Sequence, residues 1–175
     1  MKIEENELYL RKIEYSDTDD IIRWRNQDEI RKFFIYQELI TKEEHITWLE
    51  DNIATRKTEQ FIIVDKKKEH SIGSVYLRDV DYKNKKAELG IFIGEISYLG
   101  KGYGSKAAKI ILKYGFNELG LNKVFLRVLA DNSRAIRSYE KVGFQQEGYF
   151  RKDVLINGSF HDLIFMALLH DEFGG

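Results

Sequence analysis

The chain is 175 residues long, 43% hydrophobic and 33% charged, with a formal net charge of −1. That length supports one domain with a substantial core, residues 1–175. The near-neutral balance gives no electrostatic reason to expect nucleic acid as a partner. Cysteine is absent, which excludes a disulfide framework, a thiolate metal site and a cysteine nucleophile, and fits a reducing cytoplasm. Met1–Glu7 is too polar for a signal peptide and no apolar run approaches membrane-spanning length, so no membrane partner is expected.

Leu8–Ile13 alternates apolar and charged residues and predicts a first strand. Ser16 and Asp17 are N-cap candidates for a helix running to about Asn26, with Ile21, Trp24 and Arg25 near one face. Thr41-Lys42-Glu43-Glu44 is a capping-box pattern that opens a second helix to about Ala54. Its apolar positions are Ile46, Leu49 and Ile53, and His45 and Trp48 share a face at i, i+3. Three strands follow, Phe61–Val64, Ser71–Val80 and Lys86–Ile93, separated by charged turns and read as a meander. Ser105–Leu119 is helical by period, with Ala108, Ile111, Leu112 and Gly115 on one side and Gly120 as the terminating residue. Val124–Leu129 is a strand. Asn132 or Ser133 caps a helix from Arg134 to Val142, and Gly143 ends it. Phe144–Phe150 and Phe160–Leu168 are the last strands, with a turn at Asn157-Gly158. The order indicates an α+β fold whose sheet is mixed in direction, mainly antiparallel, and flanked by helices.

Leu99-Gly100-Lys101-Gly102-Tyr103-Gly104-Ser105 is the most informative stretch. Alternating glycines before a helix allow close backbone approach and aim several N–H groups at one point, where the helix dipole adds partial positive charge. A phosphate or pyrophosphate suits that point. A Walker A loop is excluded twice: five residues lie between Gly94 and Gly100, and Gly102 follows Lys101 where Ser or Thr is required. A dinucleotide fingerprint fits the letters Gly102-x-Gly104-x-x-Ala107, but five residues lie between Ile93 and Leu99 where the loop should leave its strand directly. Coenzyme A is the third reading, with its pyrophosphate on the Gly102–Ser105 amides and its pantetheine arm along the backbone of Ile91-Phe92-Ile93.

Over nearly its whole length the chain resembles the GNAT superfamily of acetyl-CoA-dependent N-acetyltransferases. Ala87–Ile93 looks like the family's fourth strand and Leu99–Gly104 like its pyrophosphate loop. Val128–Phe144, with Asn132, Tyr139 and Gly143-Phe144 in register, looks like its fifth strand and following helix. The loop departs from the family in opening with Leu99 where Gln or Arg is frequent, with Lys101 as a compensating charge. Glu147-Gly148 and Asn157–Asp162 are similar to the branch holding ribosomal-protein N-terminal and spermidine acetyltransferases. The resemblance implies acetyl-CoA as co-substrate, with Ile91, Phe92, Ile93, Leu99, Gly100, Lys101, Gly102, Tyr103, Gly104, Ser105 and Asn132 around it. It also implies Tyr139 as the acid that protonates the leaving thiolate.

Amide formation from a thioester needs a neutral amine, a stabilised oxyanion and a protonated leaving group. Glu88, on the central strand, is the candidate base; its structural alternative is a strand glutamate paired with Lys86. Backbone N–H groups of Ile91–Ile93 are candidates for the oxyanion. Spacing alone leaves Tyr139 open as a core aromatic in the stripe Ala135, Ile136, Tyr139, Val142. The four histidines show no metal-ligand spacing, Asp17, Asp19 and Asp20 mark a helix start, and Lys66-Lys67-Lys68 reads as a solvated turn.

The acceptor is expected to be a small-molecule amine. The first two helices carry Arg25, Asn26, Arg31, His45 and Trp48, which together resemble the aminosugar acetyltransferases of pseudaminic-acid-type pathways. Arginines suit a nucleotide diphosphate, and Trp48 or Phe33 suits stacking on a sugar or base. A polyamine requires acids instead, for which Glu38, Glu43, Glu44 and Glu50 are available. Protein N-termini are a further acceptor class, a non-catalytic acetyl-CoA-binding module is the non-enzyme alternative, and a homodimer is left open.

Overall fold

The computed structural model describes residues 2–5 and 7–174. Eight strands form one sheet in the order β1-β2-β3-β4-β5-β6-β8-β7. They are β1 (Lys2–Glu5), β2 (Leu8–Lys12), β3 (Thr58–Asp65), β4 (His70–Asp81), β5 (Lys86–Ile93), β6 (Lys123–Leu129), β7 (Gln145–Ile156) and β8 (Ser159–Leu169). Every adjacent pair is antiparallel except β5 with β6. The helices are α1 (Thr18–Asn26), α2 (Asp28–Arg31), α3 (Lys42–Trp48), α4 (Tyr103–Asn117) and α5 (Ser133–Val142).

Period-two alternation sends the strands' apolar side chains to both faces of the sheet. Leu8, Leu10, Phe61, Ile63, Val75 and Leu77 pack under α4 with Ala108, Ile111 and Leu112, and α5 adds Ala135, Ile136 and Val142 to that side. Tyr9, Ile62, Val64 and Phe92 form a second core with Ile21 and Trp24 of α1. Gly115 of α4 is needed for contact, since a Cβ there would meet Leu77 at 2.9 Å.

The Thr41 capping box forms: Glu44 N–H donates to Thr41 Oγ1 at 3.2 Å and Thr41 N–H to Glu44 Oε2 at 2.8 Å. The helix it opens does not continue regularly to Ala54, because Leu49–Ile53 widens into a π turn. Two elements had no sequence signal. β1 has Ile3 as its one apolar residue and is held by pairing with β2, and α2 is a single turn. The last hairpin is longer than its apolar runs, reaching Asn157-Gly158, whose φ values of 49° and 79° are those of a two-residue primed turn.

Candidate active site

The site originates in a defect of pairing. β5 is hydrogen-bonded to β4 through Ile93, but to β6 only at Lys86, Ala87 and Glu88. β6 meanwhile stays on β8 through Leu129. Beyond Glu88 the two parallel strands diverge, and Leu89–Ile93 presents an unpaired backbone edge to the gap. A cavity of about 430 Å³ fills this gap. Its lining includes Ala108 and Tyr139 from the α4 side and Arg25, Phe34 and Tyr76 from the α1 side, so it passes through the sheet. A long ligand can therefore enter on one face and meet a second reactant on the other.

At the α4 end, Gly102 has φ 83° and is the N-cap of α4, and Gly100 has φ 74°. Both values favour glycine. A Cβ built on Gly100, Gly102 or Gly104 meets no protein atom within 4 Å, so the space over the loop is open for a pyrophosphate. The first N–H groups of α4 have no intrahelical acceptor and carry the positive end of its dipole. Ile91, Phe92, Ile93, Leu99, Gly100, Gly102, Tyr103, Gly104, Ser105 and Asn132 all line the cavity. Lys101 is exposed beside the lining rather than in it. Leu99 packs its side chain against both cores and offers the cavity no charge. The loop is held from behind: Tyr98 donates to Asp65 Oδ2 at 2.8 Å, and Trp24 Nε1 to Glu95 Oε1 at 2.8 Å.

Asn132 spends its side-chain oxygen on capping α5, accepting from Ala135 N–H at 3.2 Å. Tyr139 lies two turns along α5, packed edge-on to Phe144 at 5.9 Å. It is both a core contact and a cavity residue. Burial raises its pKa, so the phenol holds its proton. Among the described residues it makes no hydrogen bond to protein.

Glu88 is buried at the fork, but its pairing differs from the expected one. Arg127 Nε donates to Oε1 at 3.0 Å and Arg78 Nε to Oε2 at 3.1 Å, while Lys86 takes no part. Burial alone pushes the Glu88 pKa up, but the hydrogen bonds and charges of Arg78 and Arg127 outweigh it and hold the carboxyl below its ordinary value. An ionised, doubly paired carboxylate is a weak base, so direct deprotonation by Glu88 loses its chemical motive; orienting a water remains within its reach.

The expected acceptor residues are divided. Arg25 lines the gap and also a neighbouring cavity of about 420 Å³, where His45 and Trp48 sit stacked at 6.1 Å. Asn26 and Arg31 line neither cavity. Asn26 exchanges hydrogen bonds with the Ile40 backbone at 2.9 and 3.0 Å, and Arg31 binds the Gln37 carbonyl and Asp28. Both brace the 27–40 segment. Phe33 lies under the Arg134 guanidinium at the cavity edge. The lining also includes Ile35, Tyr36, Tyr76, Arg78 and Arg127, which no motif of the sequence picks out. For Tyr76 and Arg78 the signal was their alternation with buried Val75 and Leu77, which places them together on the other face. Gly90 opposite Tyr76 completes it, because a Cβ at Gly90 would collide with the Tyr76 ring.

No metal-holding group of His, Cys, Asp or Glu occurs among the described residues, and no helix is long and apolar enough to cross a membrane. Asp17 is engaged by Arg11 at 2.6 Å.

Residues 7–145 match the family model described as an acetyltransferase (GNAT) domain. The chain is 28% identical over 168 residues to spermidine N(1)-acetyltransferase of Vibrio cholerae, covering 96% of each protein. It is also 28% identical over 171 residues to the uncharacterised N-acetyltransferase p20 of Bacillus licheniformis, again covering 96% of each. The crystal structure of the V. cholerae spermidine N-acetyltransferase in complex with CoA and spermine aligns with a TM-score of 0.90 at 27% identity, over 96% of this chain and 98% of that one. A GNAT acetyltransferase structure from Bacillus anthracis gives 0.84 at 25% identity. A strand fork with a glycine-rich helix start at its mouth is thus explained by descent as well as by chemistry: this chain belongs to the GNAT acetyltransferases and moves an acetyl group from acetyl-CoA to an amine.

Proposed function

We propose that the amine acceptor is a small molecule that also carries an acid group, a nucleotide-linked aminosugar being the concrete candidate. The observation that supports this is the charge of the gap on its α1 side. Arg25, Arg78 and Arg127 line it, against Glu88 as the one carboxylate among the described lining residues. Three guanidinium groups against one carboxylate attract an anionic amine and repel a polyamine bearing several ammonium groups. The acids available for a polyamine do not gather there. Glu38, Glu43, Glu44 and Glu50 are all exposed, and only Glu44 reaches the neighbouring cavity, where it is engaged in the Thr41 capping box.

In this reading the start of α4 holds the pyrophosphate of acetyl-CoA, and N–H groups of Ile91–Ile93 stabilise the oxyanion. Glu88 orients a water that takes the amine proton, and Tyr139 returns a proton to the departing thiolate. The spermidine acetyltransferases among the relatives favour a second reading, in which a polyamine is the acceptor. A thiol-release screen over UDP-linked aminosugars, polyamines, aminoglycosides and N-terminal peptides separates the two. Turnover of an acid-bearing aminosugar is expected; turnover confined to polyamines or peptides would retire the proposal.

A further inference from the structure

The cavity beside the gap holds an unexplained pair of groups. It lies between α1, α3 and the face of β4, and is lined by Arg25, His45 and Trp48. Arg25 Nε and His45 Nε2 are both buried there without a hydrogen-bond partner. Buried donors left unpaired weaken a fold and are rare unless a ligand or water satisfies them. His45 is only 6% exposed.

The chemistry of the missing partner follows from the hydrogens. Arg25 Nε–H can only donate. His45 Nδ1 lies 3.1 Å from Thr18 Oγ1. Thr18 is buried, and among the described residues its hydroxyl has no other partner, so the assignment that keeps the hydroxyl proton bonded has it donate to Nδ1. The neutral ring then carries its proton on Nε2, which is also a donor. Burial and the charge of Arg25 hold the His45 pKa below its ordinary value, which keeps the ring neutral at pH 7. The two carboxylates of the lining, Glu44 and Asp79, are exposed and lie at the mouth. The acceptors of the lining, such as Gln60 and Thr58, are neutral, whereas its two unpartnered buried atoms are both donors, beside the flat indole of Trp48.

We infer that this cavity binds an anionic oxygen group, a phosphate or carboxylate, through Arg25 Nε–H and His45 Nε2–H. The inference rests on the reading of an acid-bearing acceptor and assigns its acid group a place, with the amine reaching past Arg25 into the gap.

Trp48 supplies the readout, since Trp24 is fully buried elsewhere. The full chain is saturated with CoA, so that the α4 loop is occupied, and titrated with UDP, inorganic pyrophosphate, acetate and spermidine while tryptophan emission is followed. A saturable change with at least one anion is expected, absent in Trp48→Phe and at least ~10-fold weaker in His45→Phe. Should His45→Phe not fold, the ¹⁵N shifts of His45 in the unaltered protein serve instead: they should report a protonated Nε2 that moves on adding the anion. Silence towards every anion, equal affinity in His45→Phe, an unprotonated Nε2, or a response to spermidine alone would overturn the inference. Turnover of an acid-bearing amine without any Trp48 response would overturn it while sparing the proposed acceptor. Anion binding with turnover confined to polyamines would do the reverse.

Discussion

Arg127 grips Glu88 at the point where β5 and β6 part. Glu88 pairs with Phe125 in the last shared register, and Arg127, two residues on, reaches back with Nε to Oε1 at 3.0 Å and with Nη2 to Oε2 at 3.2 Å. Arg78 closes the other side from β4. The fork is thus clamped by charge where the backbone ladder stops. Its two strands sit in different neighbourhoods, β5 against β4 and β6 against β8, so the clamp fixes the angle of the gap.

Glu88→Gln should therefore weaken the fold as well as the reaction. Two half-buried guanidiniums lose a charged partner, which costs about 1–3 kcal/mol. The Glu88 pKa is lowered in the folded state, so its contribution is fully present above the unfolded value of ~4.3 and is lost as pH falls through the folded value. Chemical denaturation at pH 7 and pH 3 measures this: the variant's deficit should be smaller at the second than at the first. Because Glu88 stays ionised throughout an activity assay, the substitution should lower kcat evenly and leave the acidic limb of the pH–rate profile in place. A shift of that limb would restore Glu88 as the direct base.

Gly104→Val isolates cofactor binding from folding. No protein atom lies within 4 Å of a Cβ at this position, so the variant should fold. The added side chain occupies the space left open for pyrophosphate. Saturating acetyl-CoA should stabilise the unaltered protein by several kcal/mol through mass action on the native state. The same ligand should leave the melting curve of Gly104→Val unmoved. An equal rise in both would place the pyrophosphate elsewhere.

Much of this site was legible because local rules fix it. The Asn132 cap and the Gly143 terminus follow from backbone chemistry within a few residues, and the structure has both; the helix expected from Ser105 starts two residues earlier, at Tyr103, because Gly102 in the left-handed region is its N-cap. The meander and both amphipathic helices were equally readable from period. What stayed hidden depends on distant partners. The sequence offers Glu88 its near neighbour Lys86 as a partner, whereas its real partners lie 10 and 39 residues away on other strands. Asn26 and Arg31 looked like ligands by type, yet their hydrogen bonds go to backbone carbonyls and a carboxylate of the 27–40 segment. β1 is a strand only because β2 offers it an edge.

Tyr139→Phe tests the acid. Burial raises the tyrosine pKa, which suits a group that must keep its proton until a thiolate forms. The phenyl ring retains the packing against Phe144 and the α4 core. Binding of acetyl-CoA, read by thermal shift, should be nearly unchanged, while kcat falls by roughly 10²-fold. Full activity in the variant would reduce Tyr139 to a core aromatic that borders the cavity.

Arg25→Glu tests the acceptor by sign. Arg25 is the one residue of α1 that lines both cavities, and its guanidinium lies over Phe34 at 4.0 Å. Burial pulls its pKa down from the ordinary value, but an arginine so far above neutrality still carries its charge in any assay. Replacing that charge with a negative one acts oppositely on the two acceptor classes. For an acid-bearing aminosugar it removes a charge-assisted contact and adds a repulsion. KM should then rise at least ~10-fold, equivalent to about 1.4 kcal/mol. For spermidine the same change brings an ammonium-binding group to the wall of the gap, so KM should hold or fall. Since Phe34 loses its cation, Arg25→Gln runs beside it as a control for packing and should raise the aminosugar KM by less than Arg25→Glu does. A spermidine KM that rises in step with the aminosugar KM would show that Arg25 shapes the wall without reading charge. A rise for spermidine alone would reverse the assignment of the acceptor.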